Sequence, residues 1–64
     1  MSHRHLVERA RCEFLEMPGL RLTPEQASRL WGVDPRTGRQ VIEALIAAAF
    51  LRWTKNGQLV RRES

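Results

Sequence analysis

The sequence predicts a small, mainly α domain of the α+β kind, three helices followed by a β-hairpin. Three observations carry that prediction. A tandem pair of helix-start signals, Thr23-Pro24 and Asp34-Pro35, stands eleven residues apart with Gly32 between them. Apolar residues recur at helical spacing before and after that pair. Near the C-terminal end, two β-prone runs flank Asn56-Gly57, a hairpin signal.

The first helix is predicted over residues 3–17 with Ser2 as its cap. At 100° per residue, Leu6, Val7, Ala10, Phe14 and Met17 gather on one side as a core stripe. Leu15 falls off that stripe, either as a lone surface leucine or as part of a dimer contact. His3 and His5 sit in the first turn, where fraying is the norm. Pro18 and Gly19 stop the helix. Leu20, Arg21 and Leu22 then alternate as a short strand that needs a sheet to join.

The second helix is predicted over residues 24–31. Thr23 is its N-cap, Pro24 stands where a missing N–H costs nothing, and Gln26 completes a capping box. Leu22 and Ala27 stand where a hydrophobic staple would place them. Ala27, Leu30 and Trp31 are assigned to the core, and the indole N–H of Trp31 needs a partner. Ser28, four residues before Gly32, offers a small side chain to a crossing helix.

Gly32 ends the second helix and Asp34-Pro35 starts the third after a sharp change of direction, which makes a helix-turn-helix. The third helix, predicted over residues 35–49, has two faces. Gly38, Val41, Ile42, Leu45, Ala48 and Ala49 form the inner one, whereas Arg36, Arg39, Gln40, Glu43 and Ala47 form the outer. A mid-helix glycine costs about 1 kcal/mol relative to alanine, so Gly38 implies close packing against the preceding helix.

The hairpin spans residues 50–62. A two-residue turn on Asn56-Gly57 pairs Trp53 with Val60, and a turn with Gly57 as a bulge pairs it with Leu59. Both registers turn Leu51 and Trp53 toward the helices and Arg52 away. With Leu20 to Leu22 the hairpin is expected to make a three-stranded sheet.

Charge is unevenly placed. The net charge of +4 lies entirely from Arg36 onward, where Arg36, Arg39, Arg52, Lys55, Arg61 and Arg62 face only Glu43 and Glu63. Such asymmetry suits a polyanion. At 64 residues the chain is one small domain, and a core of this size rarely yields more than about 3–5 kcal/mol of net stability. Self-association as a homodimer is therefore one of the readings kept open. No apolar run reaches the roughly 18–20 residues of a membrane span, and the charged N-terminal stretch does not resemble a signal peptide. A cytoplasmic protein without membrane contact is the expectation. The single Cys12 has no disulfide partner and, with His3 and His5, makes a poor metal set. The chain contains neither a nucleophile triad nor a glycine-rich phosphate loop. No enzyme activity, cofactor or metal is expected.

The order helix, strand, helix, helix, strand, strand, with LTPEQASRLWGV followed by DPRTGRQVIEALIAAAFLRWTKNGQLVRR, resembles the winged helix-turn-helix domains of bacterial transcription regulators, the MarR-like and IclR-like kind. The likeness covers residues 20–62, about two-thirds of the chain. It rests on Leu22-Thr23, Ser28, Gly32-Val33, the apolar residues Val41, Ile42 and Leu45, and the passage from Phe50 into the Asn-Gly hairpin. Gly38 departs from it, standing where such domains usually carry valine or a similar residue. The chain also looks like short stand-alone winged-helix proteins of bacteria, and less like excisionases.

The resemblance implies that the third helix enters the major groove of double-stranded DNA and the wing touches the backbone. Arg36 and Arg39 then have the chemistry to read guanine, and Gln40 to read adenine. Thr37 is placed to donate to a phosphate. In the wing, Arg52, Lys55, Arg61 and Arg62 reach phosphates, with Asn56 and Gln58 adding neutral hydrogen bonds. Glu43 is expected to pair with Arg39 four residues before it, and with Asp34 it adds negative charge to the reading face. The competing expectation is a protein-interaction module on the same fold, since fold does not fix function.

Overall fold

A computed structural model describes residues 4–62. Three helices, α1 (Arg4–Glu16), α2 (Pro24–Trp31) and α3 (Pro35–Ala47), are followed by the antiparallel strands β1 (Leu51–Trp53) and β2 (Leu59–Arg61). The α+β class and the order of these elements are as the sequence predicts. Ser2 and His3, placed at the start of the first helix, lie outside the described residues.

The helix starts follow the local chemistry. Thr23 Oγ1 accepts from the Gln26 N–H at 3.2 Å while Gln26 Oε1 accepts from the Thr23 N–H at 3.0 Å, a reciprocal capping box. Asp34 caps α3, its Oδ2 accepting from the Thr37 N–H at 3.2 Å. Both helices carry proline in the first turn.

The ends of α2 and α3 share one geometry. Gly32, at φ +68°, donates to Arg29 O, and Val33 donates to Ser28 O. Ala49, at φ +59°, donates to Ile46 O, and Phe50 donates to Leu45 O. This is the Schellman pattern at both ends. α3 therefore stops at Ala47, short of the predicted residue 49. Ala48 and Ala49 are exposed rather than on the inner face, because the chain leaves the helical path before they can point inward.

The core lies where α1, α2 and the hairpin meet α3. Ala10, Phe14, Leu22, Ala27, Trp31, Val41, Ile42, Leu45, Leu51 and Leu59 are buried, and Leu6, Val7, Leu20, Val33, Ile46 and Phe50 pack against them. The crossing of α2 and α3 is the tightest point. A Cβ built on Gly38 would collide with Ser28 Oγ and stand 3.1 Å from Ser28 Cβ and 3.4 Å from its Cα. The glycine that departs from the winged-helix pattern is thus matched to the serine it crosses.

That crossing and the turn after α1 correct two core assignments. Because Ser28 must face α3, the buried stripe of α2 runs through Ala27, Ser28 and Trp31, and Leu30 is rotated to the flank, 44% exposed. Met17, expected in the core, is 49% exposed. It lies just beyond α1, and its carbonyl accepts the Leu20 N–H at 2.9 Å, so the Pro18-Gly19 turn carries it off the apolar stripe. Leu15 is exposed too, as its position off the stripe requires. Trp31 is buried, but its Nε1–H has no hydrogen-bond acceptor among the described residues.

The hairpin takes the bulged register. Trp53 pairs with Leu59, Arg52 with Val60 and Leu51 with Arg61. Gly57 adopts φ +74°, a conformation open to glycine at little cost. Thr54 fixes the turn three times: its carbonyl accepts from Gly57, its N–H donates to Gln58 O, and its Oγ1 accepts from the Gln58 N–H. The predicted third strand shrinks to one bridge, Leu22 with Leu59. The cause is local. The Leu20 N–H is held by the preceding turn and the Thr23 N–H by the capping box, leaving only Leu22 to pair.

Two substitutions test these readings. Gly38→Ala gains about 1 kcal/mol of helix propensity but meets Ser28, and overpacking costs about 1–3 kcal/mol. A net loss of about 1 kcal/mol is expected in urea denaturation, diminished in a Ser28→Ala background where the hydroxyl is gone. Ala49→Gly removes a left-handed alanine and should stabilise the chain by about 1 kcal/mol. An unchanged midpoint for Ala49→Gly would remove strain from the account.

Candidate nucleic-acid interface

The predicted contact residues fall into two groups. On α3, Arg36, Arg39 and Gln40 are exposed, whereas Thr37 is half-buried. Arg39 Nε lies 3.6 Å from Glu43 Oε1, the pairing expected from their spacing. Both side chains are largely solvated, 80% and 69% exposed, so the pair is worth only about 0.3–0.5 kcal/mol and leaves Arg39 easy to recruit. Thr37 is more committed. Its hydroxyl donates to Asp34 Oδ1 at 2.6 Å, in addition to the backbone bond that caps the helix. A phosphate would have to compete with that carboxylate for the proton.

The second group belongs to the hairpin. Arg52, Lys55, Asn56 and Arg61 line one open groove together with Arg21 and the turn at Pro18, Gly19 and Leu20. None of its described lining residues is acidic. Register explains how these cations meet. The Leu22–Leu59 bridge sets Arg21 opposite Val60, and Arg52 pairs with Val60 from the other side. Arg21, Val60 and Arg52 therefore form a row across the outer face of the sheet, with Lys55 at the turn. Gln58 is half-buried and works mainly through its backbone in the turn. Arg62 is exposed, its N–H donating to Phe50 O at 2.8 Å, and it lies outside the groove.

Sequence reasoning left out Arg21 and underrated Trp53. Arg21 lies between two apolar residues in a strand-like run, so its outward orientation was legible, but its meeting with Arg52 needed the long-range bridge. Trp53 was assigned to the helix-facing side of the hairpin. It shares that side with buried Leu51 by strand alternation, yet it remains 49% exposed. Its neighbours explain this. Pro24, Pro35, Arg39, Ile42, Glu43, Ile46 and Trp53 line a second groove of about 450 Å³ that no described side chain fills.

Among the described residues, no His, Cys, Asp or Glu group is arranged to hold a metal ion. No described helix is long and apolar enough to cross a membrane. Cys12 is a free, exposed thiol.

Asp34 carries a perturbed carboxyl. Hydrogen bonds from the Thr37 hydroxyl and then from the Thr37 N–H hold its carboxyl below the ordinary aspartate value. A depressed folded-state pKa contributes stability above the unfolded pKa, and that contribution is lost as pH falls through the folded one. Acid titration followed by circular dichroism should therefore show a shallower loss of stability below about pH 4 in Asp34→Asn than in the wild type. Identical acid limbs would remove Asp34 from the pH response. No protein-family model, curated protein or solved structure matches this chain, so the arrangement of its own side chains has to support any functional reading.

Proposed function

We propose that this chain is a small winged helix-turn-helix protein that binds double-stranded DNA in the cytoplasm and acts as a transcription regulator. In this reading α3 enters the major groove and the hairpin grips the phosphate backbone. The observation that carries it is the groove lined by Arg21, Arg52, Lys55 and Arg61, with no acid among its described lining residues. Phosphates are the common ligand for such a cluster, because each contact releases a condensed counterion and guanidinium groups match phosphate geometry.

The α3 face supports base contact less strongly. Arg36 and Gln40 are exposed, but Arg39 carries Glu43 beside it and Thr37 is engaged by Asp34. Affinity then comes chiefly from the hairpin, with α3 adding base discrimination through Arg36, Arg39 and Gln40. One protomer with about three to five phosphate contacts binds modestly. A homodimer on half-sites about one helical turn apart would strengthen it. The second reading, a protein-interaction module, is favoured by the apolar floor of the groove beside Trp53.

Gel shift on random duplex DNA tests the first reading. Binding is expected at about 50 mM salt, with log affinity falling against log salt at a slope of about −2.7 to −4.5. Lys55→Gln should reduce that slope by about 1. An Arg36→Ala, Arg39→Ala double variant that keeps full affinity would confine the contact to the hairpin. No shift at about 50 mM salt would sink DNA binding and leave the protein-interaction reading.

A further inference from the structure

Trp53 is the residue common to the two grooves. One groove is lined by Arg21, Arg52, Lys55 and Arg61, and the other by Pro24, Pro35, Ile42 and Ile46, with the Arg39–Glu43 pair at the rim. We propose that Trp53 is a stacking platform for an unpaired nucleobase, and that β1 is the track along which a single strand of nucleic acid runs. The proposal rests on the DNA-binding reading and extends it from duplex to unpaired nucleotides.

Three observations support that choice of ligand. First, Trp53 is half exposed although its strand is fixed by pairing with Leu59, so the ring is presented on rigid backbone. A large aromatic held this way is pre-organised for a flat apolar ligand. Second, the apolar groove beside it is open, and exposed Pro35 and half-buried Pro24 and Ile46 line it. A base inserted there would cover apolar surface that the fold leaves wet. Third, the opposite side of the same strand is cationic, with Arg52 adjacent in sequence and Lys55 two residues on.

An aromatic platform joined to a basic track is the combination that binds single strands, because every base has a π-face and every nucleotide a phosphate. An apolar peptide would use the Ile46 and Trp53 side but would leave the four cations unmatched. The acid in the groove, Glu43, is compensated by Arg39 and does not oppose an incoming phosphate by itself. Charge complementarity therefore favours a nucleic-acid strand over a protein segment as occupant.

The test uses the full chain and three fluorescein-labelled probes: a short thymidine homopolymer, a blunt duplex, and that duplex with a single-stranded thymidine overhang. The overhang duplex should bind more tightly than the blunt one. Trp53→Ala should lose about five- to a hundredfold on the homopolymer and overhang but stay within about twofold on the blunt duplex. Trp53→Phe keeps a ring and should retain most of the affinity.

Intrinsic fluorescence gives an independent readout on unlabelled probes. Homopolymer should quench the wild type, and the quenching should vanish in Trp53→Phe, where Trp31 alone emits. Circular dichroism confirms that each variant is folded, and Trp53→Phe carries the test if Trp53→Ala is not. Equal losses on blunt and overhang duplexes would overturn the proposal, leaving Trp53 as an ordinary duplex contact. Blunt-duplex binding with no homopolymer quenching would overturn it too, in favour of an apolar protein partner in that groove. Failure to bind any probe would overturn both this proposal and the DNA-binding reading.

Discussion

The close approach of α2 and α3 at Ser28 and Gly38 is the constraint on which the remainder of the structure depends. With a Cβ at position 38 the Ser28 hydroxyl would have to swing away and the helices give by a small fraction of an ångström, because Ser28 already fills the space. Their contact fixes which face of α2 is buried, and so brings Ala27 and Trp31 into one core with Val41 and Ile42. It also fixes the direction of α3, whose C-terminal end delivers the chain to the hairpin. Leu51 and Leu59 then close the core from the far side. A single missing side chain thus sets the angle between the helix exposed to solvent and the strands beside it.

Stops and starts of the helices convert that angle into a defined path. At Gly32 the left-handed residue is unstrained. At Ala49 the same backbone conformation is imposed on a residue with a Cβ, which costs about 1–2 kcal/mol. The conformation persists because Ala49 and Phe50 together satisfy the carbonyls of Ile46 and Leu45. Phe50 also lies under the Arg11 guanidinium, 5.6 Å from its ring centroid, tying α1 to the entrance of β1. The hairpin therefore starts from a point fixed by both long helices.

The features legible in the sequence were those decided by neighbours a few residues apart. Thr23 with Gln26, Asp34 with Pro35, and Arg39 with Glu43 all follow from spacing alone, and the structure bears them out. Gly38 was legible because a glycine in mid-helix is anomalous without a close partner. Features decided by competition over distance were not. Leu20 and Thr23 are strand-compatible, but a turn and a cap claim their N–H groups first. Leu30 and Met17 are apolar and at helical spacing, yet the crossing at Ser28 and the turn at Pro18 move them outward. The hairpin register was left between two answers, and the Gly57 conformation with the Thr54 hydroxyl decides it. Arg21 joined the basic groove only through the Leu22–Leu59 bridge, which no local pattern announces.

The same distinction governs how function is distributed over the surface. On α3 the exposed cations are interleaved with acids that are there for structural reasons: Asp34 caps the helix, and Glu43 lies one turn from Arg39. Helix periodicity makes such mixing hard to avoid, since residues three and four apart share a face whatever their charge. On the hairpin, strand alternation separates the roles. Leu51 and Leu59 turn inward, so Arg52 can turn outward with no acid beside it, and Arg21 joins it across the sheet. Trp53 is where the two surfaces meet, since its strand borders both the cationic face and the α3 groove. A ligand that engages this chain with both charge and apolar contact must therefore pass along β1, and the helix pair serves chiefly to hold that strand in place.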